Sequence, residues 1–183
     1  MGLFVRRWMA DPVGIGGVLP SAPSLAFAMA RQVRFSLGES VIELGPGTGA
    51  VTRALIAMGV PESRLILVER DREMHAFLCE RFPEARVIEG DAAALDRILP
   101  HGQHGRPSSV ISSLPLVSTP HEQRNDILRA AFAVLAGDGR FVQYTYGPSS
   151  PVDAPALGLH ARKVEQVWLN LPPASIWSYS RAA

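Results

Sequence analysis

The sequence predicts a doubly wound α/β fold, a mostly parallel seven-stranded sheet that ends in a C-terminal antiparallel hairpin. Three observations carry this. Short apolar runs alternate with segments of helical periodicity, and such alternation builds parallel strands joined by crossover helices. A glycine-rich bend, Gly45-Pro46-Gly47-Thr48-Gly49, directly follows the first run. No helical segment separates the last two runs, so a tight turn joins them and they pair antiparallel.

The first strand is Ser40 to Leu44. The next helix carries Val51, Ala54, Leu55 and Met58, the i, i+3, i+4, i+7 spacing of one buried face, with Gly59 as its C-cap. Arg64 to Glu69 form the second strand, and a helix with Met74, Phe77 and Leu78 follows. The third strand is Arg86 to Glu89 and the fourth Ser108 to Ser112. Thr119 as cap, Pro120 in the first turn and Glu122 closing a capping box start a helix that runs to about Leu135 and ends near Gly137. The fifth strand is Arg140 to Tyr146. Leu159 to Leu169 and Ala174 to Ser180 are the last two strands, turning at Asn170-Leu171-Pro172-Pro173. Upstream, a short helix is expected over residues 2 to 10, stopped by Pro12, and a longer one after Ser21 as N-cap, running to about Phe35.

Bulk properties narrow the function. The chain has 183 residues, 47% hydrophobic and 19% charged, which fits one folded domain and argues against disorder. A formal charge of +1 gives none of the basic excess of a nucleic-acid binder, so no nucleic-acid partner is expected. The single cysteine, Cys79, excludes an internal disulfide framework and is expected as a partly buried structural thiol in its helix. No apolar run reaches the roughly 18 residues of a membrane span. The arginines of Met1 to Met9 follow the apolar residues, unlike a secretory signal, so a cytoplasmic location is expected. His101 and His104 form an isolated pair in a glycine-rich loop, read as surface histidines, with no metal expected.

The cofactor signal is Val41-Ile42-Glu43-Leu44-Gly45-Pro46-Gly47-Thr48-Gly49, placed where a strand turns into a helix. Glycines there let the backbone approach a ligand that a Cβ would keep away. With Ala50 in third place the run also fits some nicotinamide-binding domains. Three features favour S-adenosylmethionine, whose product is S-adenosylhomocysteine. Glu43 precedes the first glycine in the E-x-G-x-G-x-G arrangement of methyltransferases. Glu69 ends the second strand, where a carboxylate accepts from both ribose hydroxyls. Asp91 ends the third, where it can accept from the adenine amino group while the Ala92 amide donates to a ring nitrogen. The cofactor-binding candidates are therefore Glu43, Gly45, Gly47, Thr48, Gly49, Glu69, Arg70, Asp91, Ala92 and Ser112. Five parallel strands followed by an antiparallel hairpin also match the outline of a Rossmann-like class I methyltransferase sheet.

The acceptor signal is Ser112-Ser113-Leu114-Pro115-Leu116 at the end of the fourth strand. Many methyltransferases that modify planar amines carry Asn/Asp/Ser-x-Pro-aromatic there. Ser113 and Pro115 match, and Leu116 replaces the aromatic ring that stacks on a flat base, which favours an aliphatic amine. Ser113 Oγ and the Leu114 carbonyl are expected to orient the amine. Strand alternation puts Tyr144 and Tyr146 on one face, where their rings could flank an ammonium product, Tyr146 before Tyr144. Asn170 to Pro173 reads as a hairpin turn that can line the acceptor pocket.

Phe4, Val5, Trp8 and Met9 fall on one side of a helical wheel, with Arg6 and Arg7 outside that arc. Residues 1–20 are thus read as an amphipathic segment that contacts an anionic membrane surface through residues 1–10 or packs over the cofactor pocket, and 21–183 as a single catalytic domain.

Together these residues resemble the soluble bacterial phosphatidylethanolamine N-methyltransferases over nearly the whole chain. The likeness rests on Gly17-Val18-Leu19-Pro20-Ser21, Glu43 to Gly49, Ser113-Leu114-Pro115-Leu116, Tyr144 to Pro148 and Asn170 to Ala174. It implies up to three methyl transfers from S-adenosylmethionine to an ethanolamine headgroup, ending at phosphatidylcholine. It also implies peripheral association with the inner face of the membrane through the N-terminus. That family is related to the rRNA adenine dimethyltransferases, the alternative reading.

Overall fold

A computed structural model of the chain describes residues 23–99, 107–170 and 172–182. The elements run α1 (Pro23–Ala30), β1 (Ser40–Leu44), α2 (Ala50–Ala57), β2 (Leu65–Glu69), α3 (Arg72–Arg81), β3 (Arg86–Glu89), α4 (Leu95–Ile98), β4 (Pro107–Ser112), α5 (His121–Val134), β5 (Arg140–Thr145), β6 (Leu159–Val167) and β7 (Ala174–Arg181). They form one seven-stranded sheet in the order β3-β2-β1-β4-β5-β7-β6. β1 to β5 pair in parallel, and β7 is antiparallel to both β5 and β6. The fold is the Rossmann-like sheet the sequence implies, with its last strand inserted beside β5 and β6 pushed to the edge.

The strand order reverses between β1 and its neighbour β4, and a crevice opens at the strand C-termini at such a reversal. β1 is buried along its whole length, as a parallel strand covered on both faces must be. On one face Leu25, Met29, Leu55, Val142 and Ile176 pack beneath α1 and α2. On the other Ile42, Val110, Leu128, Phe141 and Tyr179 pack beneath α4 and α5. Tyr179 is fully buried, edge-on to Phe141 at 6.0 Å between ring centroids, and burial pushes its hydroxyl up to about 12 despite a 2.8 Å hydrogen bond with Ser150 Oγ.

α2 ends in a Schellman motif. The Val60 N–H donates to the Leu55 carbonyl and the Gly59 N–H to Ile56, with Gly59 at φ 95° as the sequence expects. Asp71 caps α3 through a bond from the Met74 N–H at 2.9 Å, an unforeseen cap.

Four expectations are corrected. α1 stops at Ala30, short of Phe35. The Arg31, Gln32 and Val33 amides close the last turns, and Arg34 is then held against β4 by Ser108 Oγ and Ser109 Oγ. Met58 is the C-cap of α2 and 46% exposed, because the chain has already left the buried face of that helix. Thr119 does not cap α5. Its hydroxyl donates back to the Pro115 carbonyl, Pro120 takes the cap position, and no side chain completes a capping box. Cys79 is exposed, because Met74 and Leu78 define the buried stripe of α3 and Cys79 falls outside it. The expected helix over residues 2–10, the Ser21 cap, and His101 with His104 lie outside the described residues. No described helix is long and apolar enough to cross a membrane.

Candidate active site

The bend after β1 turns through three glycines with positive φ, Gly45 at 63°, Gly47 at 54° and Gly49 at 75°. Only glycine takes that region without strain, so three glycines let the chain turn sharply here. The strand ends around it are tied to one another. The Gly45 N–H donates to the Val68 carbonyl, the Gly90 N–H to the Glu69 carbonyl and the Ser113 N–H to the Leu44 carbonyl. Arg53 Nη1 donates to the Thr48 carbonyl at 2.8 Å and ties the bend to α2.

A Cβ on Gly49 would lie 2.4 Å from Phe82 Cε2, and its φ would be strained. Gly49→Ala should therefore lower stability by about 2–3 kcal/mol, combining backbone strain with overpacking. Urea denaturation measures this, and an unchanged midpoint would refute it.

Beside the bend lies a cavity of about 310 Å³. Gly45, Glu69, Arg70, Asp91 and Ala92 line one side, and Leu114 and Pro115 a second. The remaining wall, Ser118 to Pro120 with Gln123 and Ile127, comes from the start of α5 and the loop before it. Those residues were not foreseen. The sequence marks Thr119 and Pro120 only as a helix start, and the group reaches the cavity because β4 stands next to β1.

Two of the three strand-tip acids converge there. Glu69 Oε1 accepts from the Asp71 N–H at 3.0 Å. Burial pushes the Glu69 carboxyl above its usual range, and the backbone N–H groups of Asp71, Arg70 and Gly47 pull it back. Asp91 Oδ1 accepts from the Ala93 N–H at 2.9 Å, which fixes the side chain at the cavity rim. Glu43 is the correction. It is fully buried beneath the bend and does not line the cavity. Thr52 Oγ1 donates to its Oε2 at 2.6 Å, and Oε1 has no partner. Burial raises the Glu43 carboxyl to about 7, against the Thr52 bond and the Arg53 charge. Strand alternation explains the placement, since a residue two before the bend points into a face that α2 covers.

Gly47, Thr48 and Gly49 shape the bend without lining the cavity. Ser112 is fully buried, and its Oγ accepts from the Leu114 N–H at 3.3 Å. It closes the loop and has no surface for a ligand.

The acceptor loop differs from expectation in one respect. The Leu114 carbonyl already accepts from the Leu116 N–H at 2.8 Å and from Gln143 Nε2 at 3.0 Å, so both its lone pairs are used within the chain. Ser113 Oγ is buried without a hydrogen-bond partner, so its bonding capacity is unused, but neither Ser113 nor Tyr146 lines this cavity. Gln143, 1% exposed on β5, also donates to the Tyr144 carbonyl at 2.8 Å and holds the loop against the sheet. Its register opposite Ser112 was the only hint of this. Leu116 is buried in the core beneath α5 and does not face the cavity, so its aliphatic character serves packing.

The tyrosines do share a face, with ring centroids 5.5 Å apart and edge-to-face. Tyr144 is 5% exposed within the core beneath α1, which corrects its expected contact with an ammonium group. Tyr146 is 39% exposed at the strand tip. Among the described residues no group of three or more His, Cys, Asp or Glu could hold a metal.

Residues 41–139 match a family described as a methyltransferase domain. An ornithine lipid N-methyltransferase of Singulisphaera acidiphila is 34% identical over 149 residues, covering 80% of this chain and 78% of that protein. A ribosomal RNA small subunit methyltransferase A of Phenylobacterium zucineum is 38% identical over 96 residues, 50% of this chain and 32% of that protein. Among solved structures, a TehB-like SAM-dependent methyltransferase from Corynebacterium glutamicum superposes with a TM-score of 0.64 at 15% identity, covering 97% of this chain and 96% of that one. The glycopeptide N-methyltransferase MtfA, solved with S-adenosyl-L-methionine, gives 0.65 at 11% identity, covering 88% and 94%. At those identities the structural likeness speaks for the fold.

Proposed function

The chain belongs to the class I S-adenosylmethionine-dependent methyltransferases, and from that premise we propose that it methylates the primary amine of a membrane-lipid headgroup. S-adenosylmethionine is the cofactor. The residues present suit its nucleoside: two carboxylates at neighbouring strand tips, a bend with glycine at three of its five positions, and a cavity at the lower end of the roughly 300–1,000 Å³ range of small-molecule sites. Glu69 would accept from the ribose hydroxyls, Asp91 from the adenine amino group, and Gly45 would let the backbone close on the ligand. When bound, the cofactor supplies a methyl group already activated on a sulfonium centre.

The chain therefore needs no covalent catalysis. It has to hold a neutral amine in line with the methyl group. Ser113 neighbours the cavity-lining Leu114, and its buried Oγ, with both acceptor lone pairs uncommitted, would receive an amine N–H once the acceptor loop uncovers it and so fix the direction of the nitrogen lone pair. Exclusion of water lowers the pKa of the amine and favours its neutral form. Tyr146, at the tip of β5, flanks the cation that forms.

The breadth of the lipid-enzyme likeness carries this reading. It extends over four-fifths of this chain, while the likeness to the ribosomal RNA enzyme covers half of it and about a third of that protein. Within the lipid class we propose the phosphatidylethanolamine headgroup, taken by up to three transfers to phosphatidylcholine. The amine of an ornithine lipid is a second reading, favoured by the relative from Singulisphaera acidiphila.

The test is purified enzyme with methyl-labelled S-adenosylmethionine and vesicles containing phosphatidylethanolamine or ornithine lipid, beside small-subunit ribosomal RNA. Label should appear in mono-, di- and trimethylated phosphatidylethanolamine. Ser113→Ala should lower kcat at least tenfold at unchanged cofactor KM, about the worth of one hydrogen bond made in the transition state. Label confined to ornithine lipid would reassign the headgroup, and label only in RNA would end the lipid reading.

A further inference from the structure

The cavity wall formed by the start of α5 and the loop before it carries the polar side chains of Ser118, Thr119 and Gln123. Ser118 Oγ and Thr119 Oγ1 donate to the Pro115 carbonyl at 3.0 and 3.1 Å, so both hydroxyl protons are spent inside the loop. Gln123 is half-buried, and among the described residues its carboxamide has no hydrogen bond.

The start of the helix explains why. Pro120 holds the cap position, which makes Gln123 the third residue of the helix. A glutamine at that place ordinarily reaches back to the N–H of the cap residue. Proline has no N–H to give. Gln123 thus keeps one acceptor oxygen and two donor hydrogens for a ligand in the cavity.

Its position selects the part of the ligand it meets. Gln123 and Ile127 stand one helical turn apart on the same face of α5, and both line the cavity. Ile127 is buried in the same core cluster as Ala92, and α5 packs against residues Ala92–Ala94. The face that carries Gln123 is therefore the one packed at the tip of β3, where Asp91 and Ala92 line the same cavity. Ser113 and Tyr146, which would serve the acceptor, are not part of that lining. Gln123 belongs to the nucleoside end.

An adenine has two hydrogen-bonding edges. With Asp91 accepting from the amino group and the Ala92 amide donating to the ring nitrogen beside it, one edge is taken. The other edge keeps the second amino hydrogen and N7, a donor next to an acceptor. A glutamine carboxamide matches that pair with two parallel bonds, its oxygen accepting from the amino group and its nitrogen donating to N7. We propose that Gln123 binds the N6/N7 edge of the S-adenosylmethionine adenine, so that the base is held from both edges. This rests on the placement of the adenine at Asp91, and it assigns part of the base selectivity to a residue on α5.

The test is calorimetric binding of S-adenosylhomocysteine and of its 7-deaza analogue, in which a C–H replaces N7 and removes the acceptor. Wild type should bind the analogue about tenfold more weakly, within the range of a bidentate base contact. Gln123→Leu keeps bulk and helix propensity. It should weaken S-adenosylhomocysteine by about tenfold or more and distinguish the two ligands by less than about twofold. Gln123→Glu keeps an oxygen for the amino group but, ionised, has no donor, and it should likewise fail to distinguish them. The thermal midpoint without ligand checks that the helix start is intact in both variants. Wild-type affinity in Gln123→Leu would overturn the inference. So would a loss of affinity that leaves the preference for N7 in place, because the side chain would then only shape the wall. Asp91→Ala separates the two levels. If it weakens S-adenosylhomocysteine while Gln123→Leu does not, the adenine stands at β3 and Gln123 is misassigned. If neither variant matters, the adenine placement falls with the inference.

Discussion

Replacing Glu69 with alanine should raise the dissociation constant for S-adenosylmethionine about a hundredfold. The carboxylate stands at the cavity rim where β2 ends, and backbone N–H groups from two segments fix its orientation. A carboxylate so held can accept both ribose hydroxyls without losing further freedom on binding. Each such charge-assisted bond contributes about 1.5–3 kcal/mol, so losing two removes at least ~3 kcal/mol, or two decades at ~1.4 kcal/mol each. Glu69→Gln keeps an oxygen for the Asp71 N–H but lacks the charge, and should fall in between, near tenfold. Titration calorimetry reads both, and the thermal midpoint checks that the bend survives. A loss below about threefold for alanine would show that the ribose is not held at the tip of β2, and the adenosine placement would go with it.

The fold was legible because its signals are local. The glycine bend, the helical stripe of α2 and the missing helix before β7 are short-range patterns, and the structure shows each. The strand order was not legible in the same way. Nothing in Leu159–Val167 or Ala174–Arg181 says which of the two pairs with β5, since both alternate and both reach the sheet. The structure gives that place to β7, whose Ile176 and Tyr179 are fully buried, and leaves the charged β6 at the edge, where its Arg162 and Lys163 meet solvent. The capping box at Thr119 failed for a related reason. The spacing is right, but the hydroxyl finds the Pro115 carbonyl first.

The candidate site was legible as a set of strand tips, less so as directions. Strand ends placed Glu69 and Asp91 beside one cavity, while Glu43, equally near an end, points the other way into α2. The acceptor loop shows the same limit. The sequence marks Ser113 and Leu114 together, yet only the three-dimensional neighbour Gln143 decides that the Leu114 carbonyl is occupied and Ser113 Oγ is not. Side-chain direction past a strand end depends on what packs against it, and that information is non-local.

Glu43 gives the second large effect, on stability. Its carboxyl is raised from 4.5 to about 7, with burial the leading cause. A carboxyl raised on folding is protonated more readily in the native state. Its favourable contribution is therefore complete below the unfolded value and is lost as pH rises through the folded one. The window runs from about pH 4.5 to just above 7, and the change across it is roughly 3 kcal/mol for a shift of about 2.5 pH units. Glu43→Gln carries no charge at any pH in that range and keeps an oxygen for Thr52 Oγ1. Its amide replaces the unpartnered Oε1, so its stability at low pH need not match wild type. The difference between the two proteins should nonetheless move toward the variant by roughly 3 kcal/mol between about pH 5 and 8. Urea denaturation of both proteins across that range isolates this carboxyl, because every other titrating group is common to the pair. Parallel stability curves would mean that the carboxyl beneath the bend is already ionised at acid pH, with a donor at Oε1, and that the bend rests on a charged support rather than a neutral one.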